Sequence, residues 1–288
     1  MSRVIEATRR SGPGGPAETR RRPIIFKHLR LLVRYWVITF KEFAAYTWDV
    51  YLALLQFGLF MGRSFVFWWA LLGTAGAFGG WGLPEIALFT ALSYLPGAHE
   101  LFWNFWNRAS LSDKVLRGDL DKYLARPVHP LFALAAEDVN LASFIRYGLP
   151  PLALVVTIVR LYRLPVGVGS FLLGYAVLSL GKFALVLIRA TVAMLAFRHG
   201  EVSQVQRFFF QLTAFASYPV TVFPAGLRAF LSYVLPVGFV ATYPTLVMLG
   251  RSPALPVLAG AAALCLVWLA LLARAWRAAV AGYDSPGG

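Results

Sequence analysis

The side chains best suited to chemistry in this chain are a few carboxylates, four histidines and one cysteine, and their spacing assembles no catalytic set. Glu137 and Asp138 are adjacent, which on a helix points them about 100° apart rather than at one centre. His28, His99, His129 and His199 show no ligand-like spacing. Cys265 stands alone, so neither an internal disulfide framework nor a cysteine-based metal cluster can form. The sequence contains no GxxxxGK[ST] phosphate loop and no HExxH, GxSxG or CxxC. An intramembrane protease or acyltransferase would need a polar triad in its spans, and Ser, His and Asp are scattered without one. No catalytic residue and no metal ligand is therefore expected. What remains is a dense block of charge at 107–131, NRASLSDKVLRGDLDKYLARPVHPL. Its chemistry is that of ion pairing and docking.

Arg108, Lys114, Arg117, Lys122 and Arg126 are mixed in that block with Asp113, Asp119 and Asp121. Apolar residues recur at Leu111, Val115 and Leu116, then at Leu120, Tyr123 and Leu124. The spacing predicts two short amphipathic helices, broken at Gly118 and stopped by Pro127. Membrane-length hydrophobic runs flank the block on both sides, so it must lie in water or against a partner surface.

Those flanks dominate the composition. Of 288 residues, 59% are hydrophobic and 14% charged, against about 25% charged in soluble domains. Mean hydropathy is +0.65. An all-α polytopic membrane protein is the class these values indicate. The net charge of +14 would suggest nucleic acid in a soluble chain. In a membrane protein the collection of Lys and Arg in cytoplasmic loops explains it, and no nucleic-acid partner is expected.

In chain order, 1–23 carry six arginines and a Gly/Pro patch with no apolar core behind them. That reads as a disordered basic cytoplasmic tail rather than a cleavable signal peptide. Residues 24–288 read as one transmembrane domain. At 24–49, Phe26, Leu29, Val33, Trp36 and Phe40 alternate with Lys27, Arg30, Arg34 and Lys41 at helical spacing, which suits an interfacial helix. Crossing the hydrocarbon takes about 20 residues. Runs of that order are read at 50–72, 84–106, 143–159, 168–197, 205–223 and 254–273. Between the last two, 224–253 is apolar but cut by Pro224, Gly226, Pro236, Gly238, Pro244 and Gly250. Its halves are too short to cross, which predicts an external re-entrant hairpin turning at 236–238.

Six spans with both termini inside put the basic residues of the tail, the interfacial helix and the charged block on the inner side, with Arg198, Arg207, Arg274 and Arg277. Only Arg160, Arg163, Arg228 and Arg251 fall outside, as the positive-inside rule requires. Away from the span ends, charges fall at Arg63, Glu100, Lys182 and Arg189. Charges there usually face a bundle interior or a pathway.

The core of the charged block, LRGDLDKYLARPVHPLF (116–132), resembles the signature of a bacterial family of ATP-binding-cassette permeases of the type-2 export class. In that family a Gly-x-Leu-Asp-x-Tyr-Leu-x-Arg-Pro-Val run follows the second span. Here it falls on Gly118, Leu120, Asp121, Tyr123, Leu124, Arg126, Pro127 and Val128. SYPVTVFP (217–224), YVLPVGFVATYP (233–244) and the C-terminal GYDSPGG extend the resemblance. It implies a non-enzymatic permease subunit in the bacterial cytoplasmic membrane, with ATP and Mg on a separate ATPase and no cofactor of its own. It also implies a second permease chain, a heterodimer being favoured. The 107–131 block would be the coupling region, with Val115, Leu116, Arg117, Gly118, Asp119, Leu120, Asp121, Tyr123, Leu124, Arg126 and Pro127 at the ATPase. Val115, Leu116, Tyr123 and Leu124 would supply apolar contact, and the mixed charges register.

A secondary transporter or channel without an ATPase is the alternative. It predicts inverted repeats and paired acidic residues at mid-membrane, and only Glu100 offers such an acid. The aromatic content would suit a lipophilic or cationic compound as cargo, and equally plain lipid anchoring.

Overall fold

The structure, a computed structural model, describes residues 47–99, 119–125, 129–131, 133, 147–195, 197 and 203–282. The tail, residues 24–46 of the expected interfacial helix and Glu100 lie outside the described residues, as do Val115, Leu116, Arg117, Gly118, Arg126 and Pro127. What is described is helical apart from one isolated bridge, Phe78 to Trp81.

The helices are α1 (Thr47–Ala75), α2 (Leu83–Tyr94), α3 (Asp121–Leu124), α4 (Leu149–Leu161), α5 (Val168–Ala193), α6 (Ser203–Thr213), α7 (Ala225–Ala229), α8 (Thr242–Met248) and α9 (Ala254–Ala281). Three stretches are long and apolar enough to cross a membrane: Leu54–Thr74, Val168–Ala193 and Ala254–Ala281. A further pair, Ala225–Val234 and Val237–Met248, is bent by 74°. The break falls at Pro236, inside the expected 236–238 turn; a pair bent in this way (the hairpin) has the geometry of a broken span or of a re-entrant loop.

Three expectations change. The run 84–106 does not continue as one α-helix, since α2 gives way at Leu95 to a 3₁₀ segment through His99. The run 205–223 is not one crossing helix. Instead α6 tightens into a 3₁₀ turn at Ala214–Ser217 and stops at Tyr218, which is extended (φ −124°, ψ 140°). Pro219 is the cause, because its ring disfavours helical backbone at the preceding residue. The last helix, expected to close at 273, continues to Ala281. Arg274 and Arg277 do not end it, since Leu272, Trp276 and Ala279 keep a buried stripe running.

The pillar of the fold is α5. At about 1.5 Å per residue its length is roughly 39 Å, and it packs along α9 on one flank and α8 on the other. Two glycines make the α8 flank close. A β-carbon on Gly174 would meet Met248 Cγ at 2.5 Å, and one on Gly181 would meet the Phe239 carbonyl oxygen at 2.5 Å. They are seven residues apart, hence on one face. On the α9 side the Cys265 thiol donates to the Leu180 carbonyl at 3.2 Å.

At the N-terminal end of α5 the hairpin is stitched to α2. Gly250, at φ +68°, ends α8 in a Schellman turn, with Arg251 N–H donating to Leu246 O at 2.8 Å and Gly250 N–H to Val247 O at 3.1 Å. That turn carries Arg251 to Glu85, and the two form an ion pair. Glu85 also accepts the Gly82 N–H at 3.0 Å, capping α2. Trp81 Nε1 donates to Thr221 Oγ1 at 2.8 Å, beneath a cluster of Trp68, Leu72, Trp81, Ile86, Phe89 and Ala241.

Gly181→Val should overpack the hairpin contact at a cost of about 1–3 kcal/mol, lowering the thermal midpoint of the detergent-solubilised protein. Gly260→Ala, where a β-carbon meets nothing nearer than Phe239 Cζ at 3.8 Å, should leave it unchanged or raise it.

Candidate functional site

At the other end of α5 lies the described part of the charged block. A turn at Asp119 and Leu120 leads into α3, a single helical turn ending at Ala125. Leu120 is fully buried and Tyr123 nearly so. They enter a cluster with Ala133, with Leu187, Ala190, Ala193 and Met194 of α5 and the segment just after it, and with Leu272, Trp276 and Ala279 of α9. Trp276 is the hub, its ring lying 6.1 Å from Phe197 and 6.2 Å from His129 between centroids. The extension of α9 past 273 thus supplies the floor on which α3 rests.

Tyr123, one of the residues expected to supply apolar contact to a partner, has its ring buried among the chain's own helices. Leu124 is 38% exposed, and Asp121 and Lys122 face outward beside it. Lys122 pairs with Asp119 at 2.5 Å, one helical turn away, with its side chain 72% exposed. Such a solvated pair fixes local geometry and contributes little to stability. The periodicity had marked one apolar face; the structure splits it into an anchor (Leu120, Tyr123) and an exposed residue (Leu124).

The charges within spans are not gathered at one centre. Lys182 and Arg189 are half-buried on α5, seven residues apart and so on one face, and both are engaged by neighbours. Arg189 reaches α6, its guanidinium 5.6 Å from the Phe210 ring centroid. Arg63 sits on α1, 5.4 Å from the Phe60 ring centroid. Next to it, Ser64 Oγ donates to Phe60 O at 3.0 Å and shares a 3.0 Å hydrogen bond with the Tyr94 hydroxyl of α2.

Arg63, Ser64, Phe67 and Trp68 of α1, with Ala214, Ser217 and Tyr218 at the end of α6, line a cavity of about 350 Å³. Tyr218 stands edge-on to Trp68 and Phe67, at 5.9 and 6.2 Å between centroids. Sequence reasoning identified Arg63 but missed the cavity, because the break that brings Tyr218 to α1 went unread. It also missed the Glu85–Arg251 pair, whose one legible sign was an acid three residues into α2. Among the described residues no group of three or more His, Cys, Asp and Glu side chains could hold a metal ion.

Long apolar helices around a bent helix pair, with a small polar helix fastened to one end, define an all-helical membrane protein. More particularly, the chain belongs to the ABC-2 family transporter proteins, whose profile matches it over residues 58–287. It is an ABC transporter permease. No curated protein and no solved structure matches the chain.

Tyr123→Ala should cost about 3–5 kcal/mol, the range for truncating a buried aromatic. It should lower the thermal midpoint of the solubilised protein sharply. Leu124→Ala, at an exposed position one residue on, should change stability by no more than about 0.5 kcal/mol.

Proposed function

We propose that this permease is the transmembrane subunit of an ATP-driven exporter in the bacterial cytoplasmic membrane. A separate ATPase binds ATP and Mg and docks on the 107–131 block. The chain itself hydrolyses nothing and carries no cofactor. The observation that carries this reading is the family match, taken with an exposed polar turn fastened to the two longest apolar helices beyond α1. A turn attached in this way passes a push from a docked ATPase directly into α5 and α9. The outward-facing Leu124, Asp121 and Lys122, with Val115, Leu116, Arg117 and Arg126 from the rest of the block, would offer apolar contact and charges that set register.

The orientation we assign places the α3 end and both termini in the cytoplasm, and the Glu85–Arg251 end outside. Positive-inside bias supports it: the charged block and Arg274 and Arg277 belong to one end, Arg228 and Arg251 to the other. Six spans then follow if the segments read at 84–106, 143–159 and 205–223 cross as broken or partly described helices. The pathway would run between this chain and a second permease, a heterodimer being the arrangement the resemblance favours, with α1, α2 and α6 along it. ATP-driven closure of the ATPase would rock the helices between inward-open and outward-open states.

The test is the double replacement Asp121→Ala with Arg126→Ala. Neither residue belongs to the Leu120–Tyr123 anchor, and membrane level and thermal midpoint of the variant, measured alongside, report whether the permease folds. It should no longer co-purify with its ATPase in detergent. Undiminished co-purification together with undiminished transport would overturn the coupling assignment. Transport that survives ATP depletion but collapses with the proton gradient would favour an ATPase-independent carrier.

A further inference from the structure

We propose that the cavity between α1 and the end of α6 is a subsite for an organic anion with a flat aromatic body, and that Arg63 is its counter-charge. The proposal rests on the permease reading and names the chemistry of the cargo. Arg63 lies nine residues into the Leu54–Thr74 stretch, about 14 Å along it at 1.5 Å per residue and so near the middle of the membrane. A guanidinium stays charged there, because it does not deprotonate in proteins. Its placement is costly unless a partner or water compensates it. Among the described residues no carboxylate lies within ion-pairing distance, and its contact is the Phe60 ring. The other lining residues, Ser64, Phe67, Trp68, Ala214, Ser217 and Tyr218, are uncharged. Arg63 is the one charged residue in the lining, so the cavity presents a positive charge, which repels the cationic cargo that aromatic content alone would suit.

The rest of the lining fits the remainder of such a ligand. Phe67, Trp68 and Tyr218 meet edge-to-face and present apolar walls, against which an aromatic body gains offset or edge contacts. Ser217 ends the 3₁₀ turn and Tyr218 is extended before Pro219, and both line the cavity. A volume of about 350 Å³ falls within the range of small-molecule sites, roughly 300–1,000 Å³.

The experiment uses the full-length chain in nanodiscs of zwitterionic lipid, with equilibrium dialysis of two probes of matched size, naphthalene sulfonate and naphthylmethylammonium. It requires neither ATP nor an ATPase, so it succeeds or fails independently of coupling. Saturable sulfonate binding is expected, with the ammonium at least about ten-fold weaker. Arg63→Gln should lose about ten-fold or more in sulfonate affinity, as expected for deleting one charge-assisted contact. Arg63→Lys should retain most of it. Arg63 is exposed on α1, so Arg63→Gln should leave the thermal midpoint unchanged. Tyr218→Ala should weaken sulfonate binding without loss of stability. Absence of saturable sulfonate binding, equal affinity for the ammonium, unchanged affinity in Arg63→Gln, or a lowered midpoint in that variant would each overturn the proposal. Displacement of the sulfonate by phosphatidylglycerol in the disc would reassign the site to lipid and overturn it as a cargo site.

Discussion

Irregular backbone at membrane depth survives only where protein covers it, because hydrocarbon offers no hydrogen bonds to exposed N–H and C=O groups. Much of this fold answers that constraint. Between Tyr218 and Thr242 the chain never forms more than five residues of one helix type, yet its polar groups are met from within. Thr242 Oγ1 accepts the Val220 N–H at 3.0 Å, and Ser232 Oγ donates to Arg228 O at 2.7 Å while pairing with the Tyr243 hydroxyl at 2.7 Å. The cover is α5, and it can come close because Gly174 and Gly181 present no side chains to the hairpin. Replacing those glycines with ordinary helix formers would improve helix propensity and uncover the hairpin.

Charge is handled by the same logic of local compensation. Arg251 is held by Glu85 at the hairpin end, where a Schellman turn aims it. Lys122 is answered by Asp119 at the opposite end, in a solvated position where the pair costs and contributes little. Arg189 finds an aromatic face on α6. Arg63 is the outlying case: an arginine in the most exposed of the long helices, with a single ring beside it and a cavity in front of it.

Hydropathy made α1, α5 and α9 legible, because a crossing helix must be long and apolar whatever it packs against. The hairpin was legible too, since Pro236 and Gly238 break an apolar run whose halves cannot span. The end of α6 was not, although Pro219 was in plain view; read by length, 205–223 passed as one span, and the pre-proline restriction on Tyr218 was not weighed against it. Arg274 and Arg277 suggest a boundary for α9 in the sequence, but arginines are tolerated near a helix end and Trp276 continues the buried stripe. Tyr123 illustrates a different gap. Periodicity assigns residues to a face but cannot say whether that face meets the chain's own helices or a partner, so burial had to come from the tertiary structure.

These contacts also fix where motion is cheap. The α5–hairpin contact is backbone-close at Gly181, so the two cannot slide without a clash. The α5–α9 pair shares the cluster that holds α3, so those elements move together if they move at all. Helix α1 differs: Tyr51, Leu52, Leu55, Leu59, Val66 and Trp69 are exposed, and it is held to the rest mainly through α2, the Ser64–Tyr94 hydrogen bond and the ring contacts of Trp68. Regions with few buried contacts open at the lowest free energy. A displacement entering through α3 therefore carries α5, α9 and the hairpin as one body and is absorbed at the junction of α1 with the broken end of α6. The cavity occupies that junction, so the rocking motion proposed above would change the distance between Arg63 and Tyr218. A site whose two walls belong to different moving parts can hold a ligand in one arrangement and release it in the other, which a site buried within the rigid body could not do.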